Sequence, residues 1–283
     1  MRQKYLLSSL FLLVTLWFLL PESIVAQQRP SKKIVEYGWD VPYPDFIRDN
    51  IREMEKRPFD GIIFRTKEFD HAFDTRPWKQ QDMQPQLDSL AAIEWQKFTD
   101  NFLTLYAASK WNMDWFNDDH WNVIIENMKL FSLAVRSGRC VGVCFDPEPY
   151  GTDPWIYPGS YADKSFDQVA EQVRRRGRQL IIALQEHMPD LKVLSFFELG
   201  LFGDIVDEPD PKVRQEKLLK KWMVLLPSFC TGMLESAAPG TIFIDGNESA
   251  YYYESPHDYF RGYHLIRQRA QTLVPEALRN KYN

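Results

Sequence analysis

The run Val141-Gly142-Val143-Cys144-Phe145-Asp146-Pro147-Glu148-Pro149-Tyr150 ends an apolar stretch in two carboxylates, each directly before a proline. In an extended chain alternate side chains share a side, so Asp146 and Glu148 point the same way with Cα atoms about 6.5 Å apart. A following proline disfavours the helical region and holds both acids in β or polyproline geometry. Proline cannot donate to a sheet ladder, so a strand stops here and presents its acids at a rim. Like charges this close raise one another's pKa, so one carboxyl keeps its proton while its neighbour stays an anion. Glycoside hydrolysis uses that division of labour. Burial and the neighbouring charge together predict that Glu148 carries the proton.

The spacing Gly-x-x-x-Asp-x-Glu from Gly142 to Glu148 resembles the strand-four signature of the family 18 chitinase-like glycoside hydrolases, which are (β/α)8 barrels. The match spans about seven residues. The resemblance implies that Glu148 is the general acid and that Asp146 orients the substrate. One position departs from the signature: Cys144 stands where the family has an earlier acid.

The elements that must carry these residues repeat one pattern, an apolar run ending in a polar group. Ile34 to Pro42 reads as a first strand with Trp39 and Asp40 near its carboxyl end, and Ile62 to Thr66 as a second with Arg65. Phe102 to Tyr106 is a third, and the acid pair closes a fourth. Leu191 to Gly200 is a fifth with Glu198, and Thr241 to Glu248 a sixth with Asp245 and Glu248. Between them Phe46, Ile47, Ile51 and Met54 recur at helical spacing, and helices are expected to run on to about Arg136, from Asp163 to Met188, and from Lys212 to Ala237, with a kink at Pro227. A last helix starts near His257, and Asp118 or Asp119 is expected to cap the helix ending at Arg136. The segment Lys67 to Gln86 is polar and irregular and reads as a long rim loop. Arg174-Arg175-Arg176 reads as solvated charge.

Polar groups at the carboxyl ends of successive strands are the arrangement of (β/α) barrel active sites. The expected fold is therefore α/β, a TIM-type (β/α) barrel, incomplete or open because only about six strand-helix units are visible. A doubly wound open sheet is the alternative. The candidate catalytic residues are Glu148, Asp146, Asp245 and Glu248. Trp39, Asp40, Arg65, Tyr150, Trp155, Glu198 and Tyr252 are the candidate substrate-binding residues.

Residues 1–26 have Arg2 and Lys4, the apolar run Leu6 to Leu20, and small residues ending at Ala26, which is the pattern of a secretory signal peptide. The run is about 15 residues, short of the ~20 needed to span a bilayer. The expected product is secreted or periplasmic, has no stable membrane span after cleavage, and comprises one barrel-like domain over 27–283. Without Arg2, Lys4 and Glu22 the formal charge of −5 becomes about −6, which disfavours nucleic acid as a partner and suits an oligo- or polysaccharide. Cys140 and Cys144 would lie about 13 Å apart on one strand, beyond disulfide reach, and with Cys230 they read as small buried hydrophobes. His71, His120, His187, His257 and His264 are scattered without metal-ligand spacing, so neither metal nor cofactor is expected. The function expected is a glycoside hydrolase using carboxylate acid/base catalysis. The alternatives are a non-catalytic polysaccharide-binding barrel and a divalent-metal-dependent hydrolase using the same acids.

Overall fold

Six strands run parallel and pair strictly in chain order: β1 (Val35–Glu36), β2 (Gly61–Phe64), β3 (Phe102–Tyr106), β4 (Gly142–Asp146), β5 (Lys192–Ser195) and β6 (Ile242–Asp245). The computed structural model describes residues 32–282 other than Trp39 and Ser109; the expected signal peptide and the Trp39 site lie outside the described residues. The sheet curls into a half-barrel alternating with helices, an open TIM-like barrel. Doubly wound sheets reverse strand order at a switch point so that helices cover both faces. The unbroken β1-to-β6 order has no such point, which removes the alternative topology.

Both faces of the strands are apolar, as parallel strands covered on each side require. Ile62, Phe64, Leu103, Leu105, Val143, Phe145 and Val193 join the main core. Ile63, Phe102 and Cys144 form a second, smaller cluster with Val35, Leu194 and Phe196, on the concave face. Helix α1 (Pro44–Met54) buries Ile47, Ile51 and Met54 at helical spacing and starts with proline, whose missing N–H costs nothing there. Helix α4 (Phe166–Leu184) begins with a capping box between Ser165 and Gln168. It packs closely on α7 (Leu226–Ser236) because Gly177 and Gly232 lie at the contact. A Cβ on Gly177 would sit 2.2 Å from the Phe229 carbonyl oxygen, and one on Gly232 1.9 Å from that of Arg174.

Several expectations are corrected. The segment after β2 is no loose loop. Its last third belongs to α2 (Gln80–Ala91), which tolerates Pro85 internally, and Asp70 to Asp74 are packed against β3, with the Ala72 N–H donating to the Tyr106 carbonyl at 2.8 Å. Part of it is tied down by its own polar groups: the Asp74 carboxylate accepts from the Arg76 and Trp78 side chains, and Asn127 holds the backbone of Asp74, Arg76 and Trp78. Asn127 itself sits in α3 (Asp118–Ser137), whose cap is Asn117 rather than either aspartate, since its side chain accepts the N–H groups of Asp119 and His120. Lys212 to Ala237 is broken into α6 (Pro211–Leu219) and α7, after the short α5 (Gly203–Val206), with Pro227 in the first turn of α7 rather than at a kink. Arg176 is buried, donating to the Trp115 carbonyl at 2.9 Å and to Asp118 at 2.6 Å, so the arginine run is in part structural. Among the described residues no helix is long and apolar enough to cross a membrane.

Candidate active site

Strand register determines which side chains reach the concave face. Ile63 pairs with Phe102 and Tyr106 with Asp146, and side chains alternate along each strand, so Arg65, Tyr106 and Asp146 share one face at the carboxyl ends of β2, β3 and β4, with Arg65 two residues lower in register. Tyr37, two residues beyond Val35, shares this face. Its ring lies 4.7 Å from that of Phe196, joining the ends of β1 and β5 across the concavity.

Asp146 is buried at the end of β4. Its Oδ1 accepts the Glu148 N–H at 3.0 Å, so the chain turns between the two acids instead of remaining extended. The intervening Pro147 carbonyl accepts the Trp155 indole N–H at 2.6 Å, which pins the turn to the core. Glu148 is half-buried, and its Oε2 accepts the Tyr150 hydroxyl. Glu248 arrives from beyond β6, where its N–H donates to the Phe196 carbonyl at 3.1 Å. Asn247 makes that approach through a left-handed conformation, φ 48°, which asparagine tolerates. The Glu248 Oε2 is buried and has no hydrogen-bond partner among the described residues.

Burial, opposed by the Glu148 N–H and reinforced by the charges of Glu148 and Glu248, pushes the Asp146 carboxyl up to about 7. Burial and then the Glu148 charge raise Glu248. Tyr37 is raised by burial and then by Tyr106, Asp146, Cys144 and Glu248, so these groups act on one another across the mouth. Burial pushes Tyr106 up to about 12 and holds the Cys144 thiol well above its ordinary range. Asp146 is thus an acid of this strand end whose hold on its proton is strengthened, because the turn takes it out of water.

The sequence-selected residues do not all converge. Asp245 pairs in register with Ser195, opposite in parity to the concave Leu194, and its Oδ2 accepts the Gly200 N–H at 2.9 Å. It raises the buried Glu198, and the two form a separate carboxyl pair near Cys230 and Tyr282. Parity thus takes Asp245 off the Asp146 face, and Glu198, beyond the end of β5, interacts with Asp245. Trp155 is fully buried against Phe73, Trp115 and Phe229, with ring centroids 5.3 to 5.8 Å away, so it cannot stack on a sugar. Tyr252 is 87 % exposed. Tyr150 stays at the rim, and the exposed Asp40 borders a groove of about 630 Å³ with Tyr37 and Glu36. Arg65 opens into a second cavity of about 530 Å³. Tyr37 and Tyr106 were not selected from the sequence, although two-residue periodicity past Val35 and Thr104 points both toward the concave face.

Among the described residues no group of three or more His, Cys, Asp or Glu side chains is arranged to hold a metal ion. In comparisons with known proteins, no family model, curated protein or solved structure matches this chain significantly.

Proposed function

We propose that the protein is an exported glycoside hydrolase acting at the Asp146, Glu148 and Glu248 cluster. The observation that carries this reading is three mutually acting carboxyl groups at the carboxyl-end mouth of a (β/α) half-barrel, one of them holding its proton to about pH 7. The Gly142 to Glu148 signature and the Leu6 to Leu20 run support the substrate class and export.

Glu248 is the general acid: its raised affinity for a proton lets it protonate the glycosidic oxygen as the bond to the anomeric carbon breaks. Glu148 is the facing carboxylate, held by the Tyr150 hydroxyl, and serves the anomeric carbon either as base toward water or as nucleophile. Asp146 is a positioning residue. Its Oδ1 orients the Glu148 backbone, and its own proton keeps a third negative charge out of the cluster at acidic to neutral pH. The family signature would give the acid role to Glu148; the unpartnered, raised Glu248 favours the exchanged assignment.

Glu248→Gln tests it. On a polysaccharide whose leaving group needs a proton, turnover should fall about 10²- to 10⁴-fold, with far less loss in the bond-breaking step of an activated aryl glycoside. Equal losses on both substrates would take the acid role away from Glu248.

A further inference from the structure

The cavity beside Arg65 faces the same mouth as the acids but has the opposite charge. Arg65, Lys67, Arg76 and Lys110 line it against Glu68 and Asp70, in a chain whose formal charge is −5. Lys67 and Arg76 are partly neutralised from outside the lining, by Asp45 at 3.3 Å and Asp74 at 2.9 Å. Lys110 is the lining lysine or arginine without an ion pair to a described residue, and Arg65, though paired with Asp70, is engaged only through Nε. The Arg65 guanidinium is half-buried between the rings of Tyr43 and Tyr106, 5.8 and 5.0 Å from their centroids. Its hydrogen bond to the fully buried Asp70 engages Nε at 2.8 Å and leaves both Nη groups to donate elsewhere. A guanidinium fixed by two rings and a buried carboxylate is a preorganised fork for a planar or tetrahedral oxyanion. Lys110 is an exposed lining residue and has no ion pair with a described residue.

Resting on the hydrolase reading, we propose that this cavity is a subsite for the carboxylate or sulfate group of an acidic saccharide. Arg65 directly follows β2 and Asp146 ends β4, two strand spacings apart and two residues out of register, or about 12 Å between backbones. The anionic group would therefore lie on the sugar being cleaved or on its neighbour. The net charge of the chain is negative, so basic groups at this cavity would both select such a substrate and set its register over the acids.

Calorimetric titration of the purified full chain with oligouronates, sulfated oligosaccharides and neutral oligosaccharides of matched length tests the subsite. One acidic class should bind at least about tenfold more tightly than the neutral one, as charge-assisted hydrogen bonds predict. That preference should shrink as salt rises. The class that binds tells carboxylate from sulfate. Lys110→Gln and Arg65→Gln should each reduce the preference severalfold, with far-ultraviolet circular dichroism and melting midpoint checking the fold. Lys110 is exposed, so its variant remains informative if the Arg65 variant is destabilised. Equal affinity for acidic and neutral ligands, no binding of any acidic ligand, or a preference untouched by Lys110→Gln would each overturn the subsite. Acidic binding that depends on Lys110 without hydrolysis would sink the hydrolase reading alone, and hydrolysis of neutral chains without acidic preference would sink the subsite alone.

Discussion

Asp146→Asn removes a titration without removing the hydrogen bond beneath it, because the asparagine carbonyl can still accept the Glu148 N–H. An unfolded aspartate releases its proton near 3.8, whereas the folded Asp146 holds it to about 7. Between those values the folded chain binds more protons than the unfolded one, so stability falls as pH rises through the window. Above pH 7 the full cost of the buried charge is present. Three pKa units correspond to about 4 kcal/mol, an appropriate scale because Asp146 is only 4 % exposed. Urea denaturation of wild type and Asp146→Asn at pH 4 and pH 8 should give a stability difference that shifts by up to about 4 kcal/mol in favour of the variant at the higher pH. Groups that do not interact with Asp146 cancel in that difference. A difference that stays the same at the two pH values would refute the placement of the proton on Asp146.

The Glu55 carboxylate accepts the N–H groups of Gln96, Lys97 and Phe98 at 2.8 to 3.0 Å, so Glu55→Ala strands three donors and should lower stability by about 3 kcal/mol in chemical denaturation; a loss under 1 kcal/mol would contradict it. Cys140, Cys144 and Cys230 are free and buried, with thiols pushed up by burial. An aromatic disulfide reagent should therefore label none of them until the protein unfolds, and rapid native labelling of any one would count against its burial. Trp155→Phe keeps the ring packing but loses the bond to the Pro147 carbonyl. It should cost about 1 kcal/mol and lower turnover more than the melting midpoint implies, through a loosened Asp146–Glu148 turn; unchanged kinetics would remove that role.

The parallel sheet was legible because each strand is an apolar run ending in a polar group, and sequential order followed from helix-length spacers between such runs. The convergence of the acids was legible only in part. Asp146 and Glu248 reach the same face, but Asp245, three residues before Glu248, lies on the other one, a matter of strand parity that a run of apolar residues on both faces conceals. Trp155 looks like a rim aromatic in a Pro- and Gly-rich loop, yet Phe73, Trp115 and Phe229 enclose it. Those contacts join residues far apart in sequence, which no local pattern encodes. The raised proton affinity of Asp146 has a similar source: it depends on the backbone turning at Pro147, whereas proline only predicted that the strand would end.

The account stands most directly on one comparison, the release of reducing ends from polysaccharides by wild type and by Glu148→Gln at pH 5 to 7, with acidic and neutral chains in the panel. The glutamine keeps the shape and the bond from the Tyr150 hydroxyl but can act neither as base nor as nucleophile. Wild type should release reducing ends from at least one polysaccharide, and the variant should be slower by about 10²-fold or more. Near-normal turnover by Glu148→Gln, or no release from any chain by a folded wild type, would contradict the claim that this carboxyl cluster cleaves glycosidic bonds.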